Sequence, residues 1–140
     1  MTNRLTILDQ IEADLNNSLT SEKDYQHTPV EIKRGIHKWD DFLVKPVVCF
    51  TLTADLPDDD NQYGEDARWL TIMFYIYSQT DGGGSTNQIH EMVDDLETFI
   101  QSDHFTYSDQ TLILDIEVLE GGTSSPINTA IMQTRIIYES

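Results

Sequence analysis

The sequence predicts an α+β fold: one mostly antiparallel sheet of four to five strands with two helices packed on one face. Three observations carry this. An uninterrupted β-branched and aromatic run occupies residues 68–78. Two segments, 3–17 and 86–101, repeat apolar residues at three- and four-residue steps. The element order reads helix, strand, strand, strand, helix, strand, strand, with no internal repeat and no linker, so the whole of 1–140 is expected to be one domain.

The first helix rests on Leu5, Leu8, Ile11, Leu15 and Leu19, with Arg4, Asp9, Glu12 and Asp14 between them. Thr2 or Asn3 can cap it, and Asn16-Asn17-Ser18 should end it. Residues 30–36 alternate as a strand that tolerates Pro29 at its start, and Gly35 marks a bulge or the end of pairing. Trp39, Phe42 and Leu43 are expected to plug one end of the core before Pro46.

A second strand covers 47–53, and an acidic loop, 55–67, joins it to 68–78 as a long antiparallel hairpin. In that third strand Leu70, Ile72, Phe74 and Ile76 share one face; Trp69, Thr71, Met73, Tyr75 and Tyr77 share the other. A strand apolar on both faces belongs inside a sheet, not at its edge. The aliphatic face reads as core. Trp69, Met73, Tyr75 and Tyr77 suit a surface met by another subunit, because each pairs apolar area with an adaptable or polar tip.

Gly82-Gly83-Gly84 then breaks the chain, Ser85 or Thr86 caps a helix, and Ser85 with Gln88 has capping-box form. Ile89, Met92, Val93, Leu96 and Ile100 form its apolar stripe; Glu91, Asp94, Asp95 and Glu97 form a solvated acidic face. Leu112, Leu114, Ile116 and Val118 alternate as a half-buried strand, and 130–138 follows the Gly121-Gly122 turn as its partner.

Twenty-five acids against eight bases give a net charge of −17, which disfavours nucleic acid as a specific ligand. Such a surface lets DNA pass nearby without gripping it, or simply keeps the protein dispersed. The apolar runs fall far short of the about 20 residues that cross a bilayer, so no membrane partner is expected. Cys49 is the single cysteine, which excludes an internal disulfide and reads as a small core residue.

Asp58, Asp59 and Asp60 invite a calcium loop, but starting at Asp59 puts Tyr63 on a ligand position and Leu70 where a bidentate Glu belongs. The triple glycine lacks the Lys-Ser/Thr pair of a phosphate loop. His27, His37, His90 and His104 are scattered; His90 and Asp94, at i and i+4, read as a surface pair. No nucleophile context is present. The expectation is no metal, no cofactor and no catalysis.

The arrangement resembles the tail terminator (tail completion) proteins of long-tailed bacteriophages. The resemblance is carried by helix 5–19, Lys33-Arg34-Gly35, Pro46-Val47-Val48-Cys49-Phe50, strand 68–78 feeding helix 86–101, and the Gly121-Gly122 turn before Ile136-Ile137-Tyr138. It implies a virion protein assembled in the host cytoplasm as a homo-oligomeric ring, typically a hexamer. That ring would cap the tail tube protein, stop its polymerisation and present a surface to the head-tail connector protein. A sheath protein would be a further neighbour if the tail is contractile, and genomic DNA would pass through the lumen unbound. The resemblance suggests contacts through the sheet edges and the face of Trp69, Met73, Tyr75 and Tyr77, through Asp58, Asp59, Asp60 and Tyr63, and through Gly82, Gly83 and Gly84. Other readings are a head completion or connector protein, an acidic mimic of DNA and, last, a small enzyme.

Overall fold

The computed structural model describes residues 4–19, 25–27, 29, 31–35, 46–57, 67–79, 87–102, 110–121 and 127–139. The chain runs α1 (Arg4–Ser18), β1 (Glu31–Arg34), β2 (Val47–Pro57), β3 (Ala67–Gln79), α2 (Asn87–Ser102), β4 (Gln110–Leu119) and β5 (Ile127–Glu139). Five strands form one sheet in the order β1-β2-β3-β5-β4. Every neighbouring pair is antiparallel except β1 with β2, which run parallel. This is the α+β architecture expected, with a mixed sheet at one edge.

β3 sits at the centre, as its two apolar faces require. Leu70, Ile72, Phe74 and Ile76 are fully buried beneath both helices, in one cluster with Ile7, Ile11 and Leu15 of α1 and Ile89, Met92, Leu96 and Phe99 of α2. Both helices therefore cover the same face of the sheet. Phe50 and Phe74, opposite each other in the β2–β3 register, hold ring centroids 6.1 Å apart at the middle of this core. The other face, called the open face below, carries a small second cluster of Val47, Cys49 and Tyr77, with Tyr75 packed against it. Cys49 is thus a buried thiol outside any disulfide, on the side away from the helices.

α1 ends where its Asn-Asn-Ser cluster predicts, and the Leu19 N–H donates to the Leu15 carbonyl at 3.0 Å. Gly35 takes φ of 110°, in the left-handed region open to glycine, and its N–H donates to the Phe50 carbonyl at 2.7 Å. That bond closes the β1–β2 pairing and stops the strand. The expected plug of Trp39, Phe42 and Leu43, the helix caps Thr2 or Asn3 and Ser85 or Thr86, and the acidic and triple-glycine loops lie outside the described residues.

Three expectations are corrected. First, Asp95 does not belong to a solvated face. It is 6% exposed, and its carboxylate accepts the backbone N–H groups of Gln26 at 3.1 Å and His27 at 3.0 Å. The Tyr25 ring stacks obliquely on Phe99 beside it, with centroids 6.2 Å apart. Together these contacts strap the segment ahead of β1 onto α2. Second, Leu112, Leu114, Ile116 and Val118 do not share one face. A β-bulge between Ile113 and Asp115 makes Leu114 an extra residue, so Leu112 turns to the other face while Ile113, Ile116 and Val118 lie on the helix side, Ile113 and Ile116 packing against the core. Third, the His90 ring meets the carboxylate of Glu120, just beyond β4, and not Asp94.

A second bulge, at Thr53 of β2, redirects the end of that strand. The Thr53 hydroxyl donates to the Thr71 carbonyl at 3.3 Å. Past it, Asp55 turns to the helix side, where its carboxylate takes Arg68 Nε at 2.9 Å and Arg4 of α1 at 3.3 Å. This carboxylate ties the first turn of α1 to the hairpin. Among the described residues no helix is long and apolar enough to cross a membrane.

Candidate assembly surface

The open face and the β4 edge are the parts of the described sheet on which its own helices do not pack, although Val47, Cys49, Thr71, Tyr77 and Ile137 of that face are buried and only Trp69, Met73 and Tyr75 of its aromatic and Met side chains are partly accessible. Register places Trp69, Thr71, Met73, Tyr75 and Tyr77 of β3 on the open face, beside Ile137, Arg135, Gln133, Ile131 and Thr129 of β5. The Arg135 guanidinium lies 5.9 Å from the centre of the Trp69 ring, a cation–π contact that orients the indole. Trp69, Met73 and Tyr75 are half-buried, whereas Tyr77 is only 7% exposed and packs on Val47 and Cys49. The structure brings these four predicted residues onto one face. Asp58, Asp59, Asp60, Tyr63, Gly82, Gly83 and Gly84 lie outside the described residues.

The β4 edge was not singled out from the sequence. Of six exposed large hydrophobic side chains among the described residues, four belong to β4: Leu112, Leu114, Val118 and Leu119. Leu119 is the extreme case, at 73% exposed. β4 has β5 on one side, and among the described residues no strand lies on the other. A long edge strand with this much apolar surface is a template for pairing with another chain. Asp115 and Glu117, both exposed and on the open face, and the Leu114 bulge restrict which chain can pair there. The unbroken run Leu112-Ile113-Leu114 was the signal available, since a strand with one wet face should alternate.

Next to this edge, Glu117, Val118, Leu119, Thr129 and Ile131 line a shallow, largely apolar groove of about 400 Å³. At its end the buried Asn128 accepts the Gly121 N–H at 2.6 Å and donates to the Ser78 hydroxyl at 3.5 Å. Asn128 thereby fixes the β4–β5 turn to β3, so the groove wall is held by a hydrogen-bonded side chain. β1, the opposite edge, carries Lys33 and Arg34, both exposed. Lys33 Nζ lies 3.1 Å from Glu31, and Arg34 lies 2.8 Å from Asp9 of α1. No three His, Cys, Asp or Glu residues converge into a cation site among the described residues.

No family model and no curated protein matches this chain. Among solved structures, it is similar to the sheath/tube terminator of an extracellular contractile injection system, PVC, in its extended state. The TM-score is 0.44 at 11% identity, over 100% of this chain and 58% of the other. The chain thus spans a little over half the length of that neighbour. A likeness at this level transfers neither role nor partners.

Proposed function

We propose that copies of this chain assemble into a closed ring, hexameric as in the tail terminators its sequence resembles. The ring caps a phage-like tail tube, ends its polymerisation and offers a surface to the head-tail connector. The protein is a structural component of the particle and not a catalyst. The observation that carries this is the β4 edge: among the described residues no strand lies on its outer side, and such an edge with four exposed aliphatic side chains is stable against indiscriminate aggregation only if something specific covers it. A ring covers such an edge by heterologous contact, one face of a subunit meeting a different face of the next. The two edges of this sheet differ, β4 being long and acidic and β1 short and basic, which is what a heterologous contact needs.

A net charge of −17 per subunit suits a lumen through which DNA slides, because no phosphate counterions are released to hold it. Purified protein should therefore form ring-shaped particles that, in negative-stain images, sit on the ends of tail tubes. Rings that cap head portals and ignore tubes would instead make it a head completion protein. Tubes left uncapped, with the protein monomeric beside them, would reject the reading.

A further inference from the structure

We infer that the second half of β4, residues 115–118, takes an added strand from a different protein, one that alternates Lys or Arg with aliphatic residues. The inference goes beyond the ring proposed above and does not depend on it.

The backbone comes first. In an antiparallel ladder each residue turns its N–H and its C=O to the same side, so every second residue of 115–118 points both groups away from β5. Among the described residues no strand lies there to receive them, and the backbone bonds outside helices and ladders are those of Leu19 and Gly35. Side chains do not wrap over this edge either. Asp115 and Glu117 are exposed, and Val118 is 36% exposed. An added strand satisfies the outward groups without any movement of this chain.

The side chains then say which strand fits. Register with β5 puts Asp115 and Glu117 on the open face, opposite Gln133 and Ile131, and puts Ile116 and Val118 on the helix side, opposite Met132 and Ala130. Neither carboxylate has an ion-pair partner among the described residues. A strand laid beside 115–118 matches them when it presents cation, aliphatic, cation and aliphatic in turn. The unit opposite Asp115, Ile116 and Glu117 reads the same from either end, so a parallel and an antiparallel strand satisfy it equally. Beside it, the groove of about 400 Å³ lined by Glu117, Val118, Leu119, Thr129 and Ile131 has room for the methylene stem of a Lys or Arg whose head group meets Glu117. A second copy cannot supply this strand. Its β4 would set acid against acid. No two of the chain's eight Lys and Arg residues stand two positions apart, so none of its other strands can face both acids with cations. Leu112 and Leu114, up to the bulge, are left for the neighbouring copy in the ring.

Blocked peptides of the sequence Thr-Val-Lys-Ile-Lys-Val-Thr test this, read by fluorescence anisotropy at fixed ionic strength. The wild-type protein should bind this peptide, and should bind the version with both Lys replaced by Glu at least about tenfold more weakly. Two further versions carry an N-methyl group on the central Ile or on the Lys before it. A paired strand turns alternate N–H groups to its neighbour, so one of these should bind normally and the other about tenfold more weakly. The variant Asp115→Lys/Glu117→Lys, checked for fold by far-UV circular dichroism, should reverse the preference between the Lys and Glu peptides. Absence of binding at about 1 mM peptide would overturn the inference. So would equal binding of the Lys and Glu peptides, or equal binding of the two methylated ones, which would reduce the contact to charge alone. Sedimentation velocity of the same proteins without peptide reads self-assembly separately. Rings with no peptide binding remove this inference and leave the proposed function, while binding without rings does the reverse. If the wild type ignores the peptides and the charge-reversed variant loses its rings, the edge belongs to a second copy and the inference is wrong.

Discussion

Replacing Asp95 by alanine tests whether an acid that reads as surface is in fact a structural clamp. Its carboxylate receives two backbone N–H groups, from Gln26 and His27, with a third, longer contact from the Gln26 amide at 3.4 Å. Hydrogen bonds to a charged acceptor contribute about 1.5–3 kcal/mol each, and a part-buried N–H stripped of its partner recovers only some of that from water. Two such bonds, partly compensated, put the cost of Asp95→Ala at about 3 kcal/mol. For a chain of this length that lowers the melting temperature by about 10 °C. Asp95→Asn keeps one oxygen and should lose about half as much. Urea unfolding followed by far-UV circular dichroism measures both. The midpoint should fall while the slope with denaturant stays unchanged, because the area exposed on unfolding is the same. An alanine variant within about 0.5 kcal/mol of wild type, the range of an ordinary surface substitution, would refute the clamp. Because the strapped segment leads directly into β1, the same variant should also weaken self-association.

Other substitutions probe the remaining parts. Phe74→Ala removes one of the two fully buried phenylalanines paired at the centre of the sheet and should cost about 3–5 kcal/mol by the same assay. Asp55→Ala leaves Arg4 and Arg68 without their shared carboxylate, which is 10% exposed, and should cost about 2 kcal/mol. Hydrogen exchange should then rise in the first turn of α1 before it rises elsewhere. Leu119→Ser, at an exposed position, should leave stability within about 0.5 kcal/mol of wild type yet reduce self-association. A loss of stability without loss of association would show that Leu119 serves the fold alone.

Much of this fold can be read without coordinates, and the reasons are local. β3 declares itself because Leu70, Ile72, Phe74 and Ile76 alternate with Thr71, Met73, Tyr75 and Tyr77 without a break, and only an interior strand can bury both sets. The helices declare themselves by Leu8, Ile11, Leu15 and Leu19, and by Ile89, Met92 and Leu96, at helical spacing, although Leu5, expected on the first stripe, is exposed and Ile7 takes the buried place in that first turn. The parallel direction of β1 does not, because four residues of strand carry no sign of which way the following crossover returns. Nor does the burial of Asp95: its partners are backbone N–H groups sixty-eight and sixty-nine residues away, invisible to any pattern within the helix.

The β4 edge was missed for a similar reason. Alternation made Leu112, Leu114, Ile116 and Val118 look like one buried face, and a single bulged residue exposes Leu114 and reverses the facing of those before it relative to those after. The candidate surface was therefore half legible. Trp69, Met73 and Tyr75 were placed on the open face by period alone, whereas the apolar edge beside them emerged only from pairing partners.

The most direct test is the mass of the protein in solution as its concentration rises, with the 16.0 kDa chain as the unit. Assembly through two unlike sheet edges predicts growth from monomer to a single closed species of fixed mass, which does not lengthen further and which caps tail tubes. A particle that remains at one chain's mass at every concentration, or one that grows without limit, would contradict the account.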